Sequence, residues 1–111
     1  MNFKQAEILI CINKYQNITK CGEYLGIKQP TVTFHMKNLE NEMGVVLFEH
    51  NIGKVLLTDA GEALLHYAEK IVLLTKDAEK LMKSFSLNEM RTFKLGGSMI
   101  PSKYKIGRAH V

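Results

Sequence analysis

The 111-residue sequence predicts a mainly α fold in which three short helices and a β-hairpin precede one long helix. Two short helical patterns meet at Gly26, and two short apolar runs flank a polar segment at residues 49–54. From Thr58 to about Phe85, apolar residues recur every seven positions without an intervening proline. These three observations predict, in this order, two helices joined by a tight turn, a hairpin and a long helix.

The turn between the second and third helices is predicted residue by residue. Thr19 is the predicted N-cap of the second helix, because its hydroxyl can accept a hydrogen bond from a backbone amide one turn later. Gly26 stands where the chain leaves that helix, and a residue without a Cβ adopts a positive φ at little cost. Pro30 fits the first turn of the third helix, where its missing N–H has no helical partner to lose. Together these residues predict a helix-turn-helix.

One face of the third helix is predicted to be buried and the opposite face exposed. An apolar stripe at i, i+4, i+7 and i+11 marks the buried face: Val32, Met36, Leu39 and Met43. On the outward face, Lys37 suits a DNA phosphate, and Thr33 and Asn38 suit phosphates or base edges. Phe34 suits a thymine methyl group. A two-helix corner of any all-α protein is the alternative interpretation.

The segment after the third helix predicts a hairpin. Val45 to Phe48 and Val55 to Leu57 are the predicted strands, and Glu49 to Lys54 is the predicted tip. A hairpin that directly follows a helix-turn-helix is a wing, and the tip of a wing lies against the DNA backbone or the minor groove. The tip groups suited to that contact are His50, Asn51 and Lys54. The fold class is therefore a winged helix-turn-helix, with a purely structural hairpin as the alternative.

The long helix is predicted to begin at Thr58, with Asp59 and Glu62 in its first turn, where the helix dipole favours carboxylates. An a/d seam of about three heptads follows. It is formed by Leu64, Tyr67, Ile71, Leu74, Ala78, Leu81 and Phe85. At 1.5 Å per residue the helix reaches roughly 40 Å, longer than a domain of this size can bury. The seam therefore predicts dimerisation, with packing against a C-terminal part of the same chain as the alternative.

Several strings at fixed separations resemble the LysR-type transcriptional regulators of bacteria, over residues 1 to about 98. They are Met1-Asn2-Phe3, Gln29-Pro30-Thr31-Val32, Leu39-Glu40, Met43-Gly44-Val45, Leu47-Phe48-Glu49 and Leu57-Thr58-Asp59-Ala60-Gly61. The resemblance implies a winged helix-turn-helix, a linker helix that pairs two subunits and a C-terminal α/β domain that binds a small-molecule inducer. It implies a sequence-specific DNA-binding regulator that binds operator half-sites as a homodimer, with a tetramer left open for the intact protein.

The resemblance also implies which residues contact double-stranded DNA. By position in the recognition helix they are Gln29, Pro30, Thr31, Thr33, Phe34 and Lys37, and in the wing they are His50, Gly53 and Lys54. Three positions depart from the residues common in the family, since Lys28 replaces Ser while Phe34 and His50 replace Arg. Lys28 removes a hydroxyl cap and adds a charge that the helix dipole disfavours, which indicates that it meets a phosphate.

Four segments are predicted along the chain. Residues 1–58 form the DNA-binding domain, 59–87 the linker helix, 88–105 the start of a truncated effector-binding domain and 106–111 a non-native tail. Thr92 to Ser98 resembles the first strand of the effector domain. The last six residues resemble the translation of a sequencing adapter, so we expect the inducer site to lie in a missing C-terminal domain.

Net charge is weak evidence for DNA binding in this chain. The formal net charge is +4 and the pI is about 9.1, yet residues 1–57 carry six Lys and five Glu, which gives only +1. The excess positive charge lies in the linker and the tail. The DNA interpretation therefore depends on Lys28, Lys37 and Lys54 lying on one face.

Other functional classes find little support in the sequence. No run of about 18 uncharged apolar residues occurs and the N-terminus does not resemble a signal peptide, so we expect a cytoplasmic protein without membrane contact. Cys11 and Cys21 have no metal or CxxC spacing and are predicted to be reduced core residues. We expect no enzyme activity, no cofactor and no metal. The alternative function is a helical dimerisation or scaffold module without DNA binding.

Overall fold

The computed structural model describes the backbone of residues 1–95 and the side chains of residues 1–87. The elements are α1 (Phe3–Tyr15), α2 (Ile18–Leu25), α3 (Gln29–Met43), β1 (Phe48–Asn51), β2 (Lys54–Leu57) and α4 (Asp59–Leu95). This order confirms the predicted fold class, in which three helices and an antiparallel hairpin precede one long helix. The chain divides into two units, residues 1–74 and the residues from 75 onward.

Local hydrogen bonds fix both ends of α1. The Asn2 side chain accepts from the Gln5 amide and the Gln5 side chain accepts from the Asn2 amide, both at 2.8 Å, which is a capping box. The helix ends at Gln16, which has a φ of 55° and donates its N–H to the Ile12 carbonyl at 2.9 Å. The Gln16 carbonyl accepts from the Val55 amide at 3.0 Å, so the end of α1 is tied to β2.

The N-cap of α2 is Asn17, so the prediction of Thr19 is wrong. The Asn17 side chain accepts from the Lys20 amide at 2.8 Å, and its extended φ of −151° is the conformation that an N-cap adopts. Thr19 lies inside the helix, where its hydroxyl donates to Oε1 of Gln29 at 3.2 Å. The other end of α2 is as predicted, because Gly26 has a φ of +72°.

The predicted buried face of α3 is confirmed except at its last residue. Pro30 lies in the first turn of the helix, and three residues of the stripe are buried: Val32, Met36 and Leu39. Met43 is 38% exposed, so its assignment to the core is wrong. The physical reason is that Met43 ends the helix and the left-handed Gly44 turns the chain there.

The hairpin begins later than predicted. Val45 and Val46, the predicted start of the first strand, lie before β1 and are 48% and 65% exposed. The ladder pairs Phe48 with Leu57, Glu49 with Leu56, His50 with Val55 and Asn51 with Lys54. The turn therefore consists of Ile52 and Gly53 alone, and most of the predicted loop belongs to the strands.

Thr58 connects β2 to α4 and bonds to the segment before β1. Its hydroxyl oxygen accepts from the Gly61 amide at 3.1 Å, which confirms the predicted helix cap. The same hydroxyl donates to the Val46 carbonyl at 2.8 Å, and the Thr58 amide donates to the Leu47 carbonyl at 2.9 Å. The bond between Thr58 and Leu47 continues the register of the ladder. The Leu47 amide, however, donates to Oε2 of Glu40, so this pair lacks its second ladder bond and the strand begins one residue later.

α4 continues past its predicted end at residue 87 and reaches Leu95. The strand predicted from Thr92 to Ser98 is wrong as far as Leu95, because residues 92–95 are helical. An isolated strand has no neighbour to satisfy its backbone, whereas an extended helix satisfies its own. Residues 96–98 of that strand and the predicted tail at 106–111 lie outside the described residues.

The core of residues 1–74 draws side chains from all the elements of that unit. Its largest fully buried side chains are Ile8, Leu9, Ile12, Cys21, Val32, Leu39 and Leu47. From α4, Ala68 is fully buried, and four apolar residues pack against the core while half-buried: Leu64, Leu65, Ile71 and Val72. The beginning of α4 is therefore part of the winged domain itself.

Candidate DNA interface

The exposed face of α3 carries the residues predicted to contact DNA. Every predicted contact at the start of α3 and along it is exposed: Lys28, Gln29, Pro30, Thr31, Thr33, Phe34, Lys37 and Asn38. Five of these residues line one open concave surface, namely Gln29, Pro30, Thr33, Phe34 and Lys37. Because the apolar stripe holds the opposite face of α3 against the core, this concave surface is available to a ligand.

Gln29 accepts two hydrogen bonds on this surface. Its Oε1 accepts from the Thr19 hydroxyl, and its backbone carbonyl accepts from the Thr33 hydroxyl, both at 3.2 Å. The amide group of Gln29 still offers N–H donors, and the Thr33 hydroxyl oxygen still offers acceptor capacity. Side-chain amides and hydroxyls are groups that hydrogen-bond to base edges and phosphates.

Phe34 is the large apolar side chain of this polar surface. It is 61% exposed, and its ring meets the ring of His35 edge-on, with centroids 5.9 Å apart. An exposed phenyl ring among polar neighbours can contact an apolar group of a ligand, such as the methyl group of thymine.

Lys28, Lys37 and Lys54 are exposed cations. None of them takes part in the ion pairs found among the described residues. Ammonium groups without an internal partner keep their charge available for phosphates. Lys28 precedes α3 and makes no side-chain cap, as its residue type predicts. That the three lysines share one face stays a prediction.

The wing places its predicted contact residues at the far end of the hairpin. His50 and Asn51 end β1, Lys54 begins β2, and all three are exposed. Gly53 has a φ of +76° in the turn, a conformation that side chains rarely adopt. The other turn residue, Ile52, is fully exposed, and sequence reasoning missed it because the surrounding segment is polar.

Sequence reasoning also missed a contact between α3 and the wing. Oε2 of Glu40 accepts from the Leu47 amide at 2.9 Å and from the Phe48 amide at 3.0 Å. The carboxylate thus joins the last turn of α3 to the start of β1. The Leu39-Glu40 string was the signal in the sequence, but a string does not indicate which distant amides a side chain meets.

Within residues 1–74, the predicted seam of α4 has buried and exposed members. Leu64 and Ile71 are half-buried against the core, whereas Tyr67 and Leu74 are 60% and 65% exposed. A shallow apolar groove adjoins this part of the helix. It is lined by Met43, Val45, Leu47, Ala60, Ala63, Leu64 and Tyr67. Met43 and Val45 lie outside α4 and are not part of the predicted dimerisation seam, so they add exposed apolar area beside it.

From residue 75 to residue 87, the predicted seam residues of α4 are exposed. They are Ala78, Leu81 and Phe85. Met82 and Leu87 are exposed as well, although the predicted seam omits them. A series of exposed apolar side chains along one helix is typical of a surface that a protein partner covers. Pairing of two copies along this seam stays a prediction.

The two cysteines are buried free thiols, as predicted. Burial raises the pKa of Cys21 to about 12 and also raises that of Cys11, while the two thiols hydrogen-bond to each other. Neutral thiols of this kind are poor nucleophiles and poor metal ligands. Among the described residues, His, Cys, Asp and Glu form no group that could hold a metal ion. In that part of the chain, no helix has both the length and the apolar character that crossing a membrane requires.

Residues 3–62 match a family described as "Bacterial regulatory helix-turn-helix protein, lysR family". This match runs from the start of α1 into the first turn of α4. The HTH-type transcriptional regulator CfxR of Cupriavidus necator is 30% identical over 96 residues, which is 86% of this chain and 30% of CfxR. The HTH-type transcriptional regulator CitR of Bacillus subtilis is 42% identical over 72 residues, which is 65% of this chain and 25% of CitR.

A solved structure supports the same relationship. The chain is similar to the protein in the crystal structure of the CbnR_DBD-DNA complex, with a TM-score of 0.71 and 30% identity, over 78% of this chain and 99% of that one. The chain spans 30% of the length of CfxR and 25% of the length of CitR, less than a third of either. Since the family match covers more than half of the chain and contains the whole helix-turn-helix and hairpin, the chain belongs to the LysR family of bacterial regulatory helix-turn-helix proteins.

Proposed function

We propose that this chain is the DNA-binding part of a bacterial transcriptional regulator, and that it binds operator half-sites as a homodimer. The observation that carries the proposal is the exposed face of α3, where hydroxyl, amide and ammonium groups surround one exposed phenyl ring. The similar CbnR structure contains DNA, which supports a DNA ligand for this surface.

The side chains of α3 divide into two roles in this proposal. Lys28 and Lys37 contact phosphates, because a cation neutralises a phosphate whatever the base sequence. Residues with hydrogen-bonding or apolar groups contact bases and the adjoining backbone, namely Gln29, Pro30, Thr31, Thr33, Phe34 and Asn38. The second group confers sequence preference, since donor and acceptor patterns differ between base pairs in the major groove.

The wing supplies a second contact with the DNA backbone. His50 and Lys54 lie at the far end of the hairpin as exposed hydrogen-bond donors. Gly53 has no side chain, so the backbone of the turn can approach a phosphate closely.

We assign dimerisation to the seam of α4. Its exposed apolar side chains, before and after residue 74, would be removed from water by a second copy of the helix. We place the inducer site outside the residues that the structure describes, and a tetramer is compatible with the same seam. We place the protein in the cytoplasm, where bacterial DNA lies, and assign it a regulatory and not a catalytic role.

Selection from random-sequence DNA tests this proposal. We expect the chain to enrich a two-fold symmetric duplex, and its affinity for that duplex to fall steeply as salt rises. With three phosphate-contacting lysines on each of two copies, the slope of log K against log salt is expected to be about −5. Failure to enrich any duplex, or a slope near zero, contradicts DNA binding.

A helical dimerisation or scaffold module is the second candidate, and the exposed apolar side chains of α4 are the observation that favours it. Chromatography on heparin separates the two functions. A DNA-binding chain is retained and elutes as salt rises, whereas a scaffold module passes through.

A further inference from the structure

The backbone of residues 46–48 lies between the last turn of α3 and the first turn of α4. On one side, Oε2 of Glu40 accepts from the Leu47 and Phe48 amides at 2.9 and 3.0 Å. On the other side, Thr58 donates from its hydroxyl to the Val46 carbonyl at 2.8 Å and from its amide to the Leu47 carbonyl at 2.9 Å. The segment is thus hydrogen-bonded through its amides to α3 and through its carbonyls to Thr58, the N-cap of α4.

Leu47, the middle residue of this segment, is buried in the protein interior. Its side chain is 1% exposed, and both of its backbone polar groups have partners, the amide at Glu40 and the carbonyl at Thr58. Gly61 of α4 faces the same carbonyl so closely that a Cβ there would overlap the Leu47 oxygen. Removing the Glu40 carboxylate leaves a buried amide without its acceptor while the carbonyl side remains intact.

Apolar packing does not set the angle of the wing by itself. Phe48, Val55 and Leu57 bury their side chains and hold the hairpin on the core, but hydrophobic contact has no preferred direction. A two-stranded hairpin is also marginally stable without neighbours. Hydrogen bonds from two consecutive amides to one oxygen are directional, and the accepting oxygen belongs to a residue of α3. Glu40 therefore contributes the direct polar link between the recognition surface and the wing.

We propose that Glu40 is a positioning residue for DNA binding, which holds the wing at the angle to α3 that lets both contact one duplex. It touches no DNA in this proposal, and it acts through the Leu47 and Phe48 amides. The inference rests on the proposed function, since it assumes that α3 and the wing bind the same DNA.

Three substitutions at Glu40 separate geometry from charge. Both amides bind the same oxygen, so the single side-chain carbonyl of Glu40→Gln can accept both bonds although the charge is lost. Glu40→Asp keeps the charge but shortens the side chain by one carbon–carbon bond, about 1.5 Å. Glu40→Ala removes both. The matched control is Glu42→Ala, which removes the same charge two residues further along α3, where the carboxylate meets the N-terminal ammonium group at 3.5 Å.

The experiment measures two quantities for each variant of the full chain. One is the exchange rate of the Leu47 and Phe48 amide protons, and the other is the affinity for the duplex that the wild-type chain enriches from random DNA. We expect Glu40→Ala and Glu40→Asp to exchange both amides faster and to bind about tenfold more weakly, a factor equivalent to about 1.4 kcal/mol. Glu40→Gln and Glu42→Ala are expected to match the wild type in both.

Different failures have different meanings. If Glu40→Ala exchanges these amides faster but binds the duplex as tightly as the wild type, Glu40 does not position the wing for DNA. If Glu40→Gln binds as weakly as Glu40→Ala, charge and not geometry is responsible, and the proposal is equally wrong. A wild-type chain that enriches no duplex overturns the proposed function together with this inference, whereas the two preceding results overturn this inference alone.

Discussion

α3 and α4 both bury one stripe against the same core, but their exposed stripes differ in chemistry. The exposed residues of α3 carry mainly hydroxyl, amide and charged groups, and Phe34 is the most exposed large apolar side chain among them. The exposed residues of α4 include many large apolar side chains: Tyr67, Leu73, Leu74, Leu81, Met82, Phe85 and Leu87. Polar and cationic groups match phosphates and base edges, whereas exposed apolar area is stabilised by an apolar partner. The difference indicates that the two helices serve different partners.

The largest expected loss of DNA affinity comes from placing charged residues in the apolar seam of α4. Leu74→Glu with Leu81→Glu places carboxylates at two exposed seam positions, where a dimer would bury them against apolar neighbours. We expect the variant to sediment as a folded monomer and to lose about a hundredfold or more in affinity for the enriched duplex, because only one half-site is then bound.

The control for this variant is Lys76→Gln with Lys83→Gln, which changes the net charge by the same two units at exposed positions outside the seam. It should remain a dimer. A Leu74 and Leu81 variant that stays dimeric, or a monomer that binds as tightly as the wild type, would show that the contrast between the helices has been misinterpreted.

A second test divides the surface of α3 into its two proposed roles. Thr33→Ala and Phe34→Ala should each change the preference at one or two base pairs by about 1–3 kcal/mol. Lys37→Ala should weaken binding to all sequences and reduce the salt slope by about one for each half-site. Competition among duplex libraries at two salt concentrations measures both effects. Equal losses for all three variants, with unchanged preference, would mean that α3 does not select the sequence.

A third test concerns the part of α4 that belongs to the core. Gly61→Ala should lower the free energy of unfolding by about 2 kcal/mol, although Ala favours helix, because its Cβ would overlap the Leu47 carbonyl. Gly44→Ala provides the comparison, since Gly44 has a φ of +75° but no atom within 4 Å of the added Cβ. Its cost should be conformational only, about 1 kcal/mol. Urea denaturation of both variants measures the difference, and a Gly61→Ala variant as stable as the wild type would contradict the close approach.

The smallest expected effect concerns the thiol of Cys21, which lies in the core against which α3 and α4 pack. Because burial raises the pKa of Cys21 to about 12, the native thiol should react slowly with a disulfide reagent at pH 8 and rapidly in denaturant. The buried neutral thiol supports the fold fully below its ordinary pKa of 9.0, and this contribution should be lost as pH rises towards 12. Rapid reaction of both thiols in the native protein would contradict the burial of Cys11 and Cys21 in the core.

The sequence predicted the elements whose signals are local. Gly26 and Pro30 act through their own backbone geometry, and the stripe from Val32 to Leu39 follows from helical spacing, so all of these were confirmed. The Asn17 cap was missed because Asn and Thr are both good caps, and only the structure shows that the Thr19 hydroxyl binds a side chain of α3 instead.

Features that depend on distant partners could not be predicted from the sequence. The path of the segment before β1 depends on Thr58, which donates to the carbonyls of Val46 and Leu47 twelve and eleven residues earlier in the chain. The role of Glu40 depends on amides seven and eight residues later. Local propensity correctly marks Val45 to Phe48 as suited to a strand, but the hydrogen bonds of tertiary structure decide where the ladder begins.

One residue, Thr58, separates β2 from α4, and its hydrogen bonds to residues 46 and 47 leave no flexible linker there. Within residues 1–74, α3 is therefore held in one orientation to the start of α4. Two copies paired through that part of α4, as proposed, would present their recognition helices at a set separation and a set rotation about the DNA axis. Inserting one base pair between two half-sites turns one of them by about 35° around that axis. A stiff dimer can follow this rotation only by twisting the DNA, which costs deformation energy. In the proposed dimer, the single-residue connection would thus make the spacing between half-sites, and not their sequence alone, part of what is recognised.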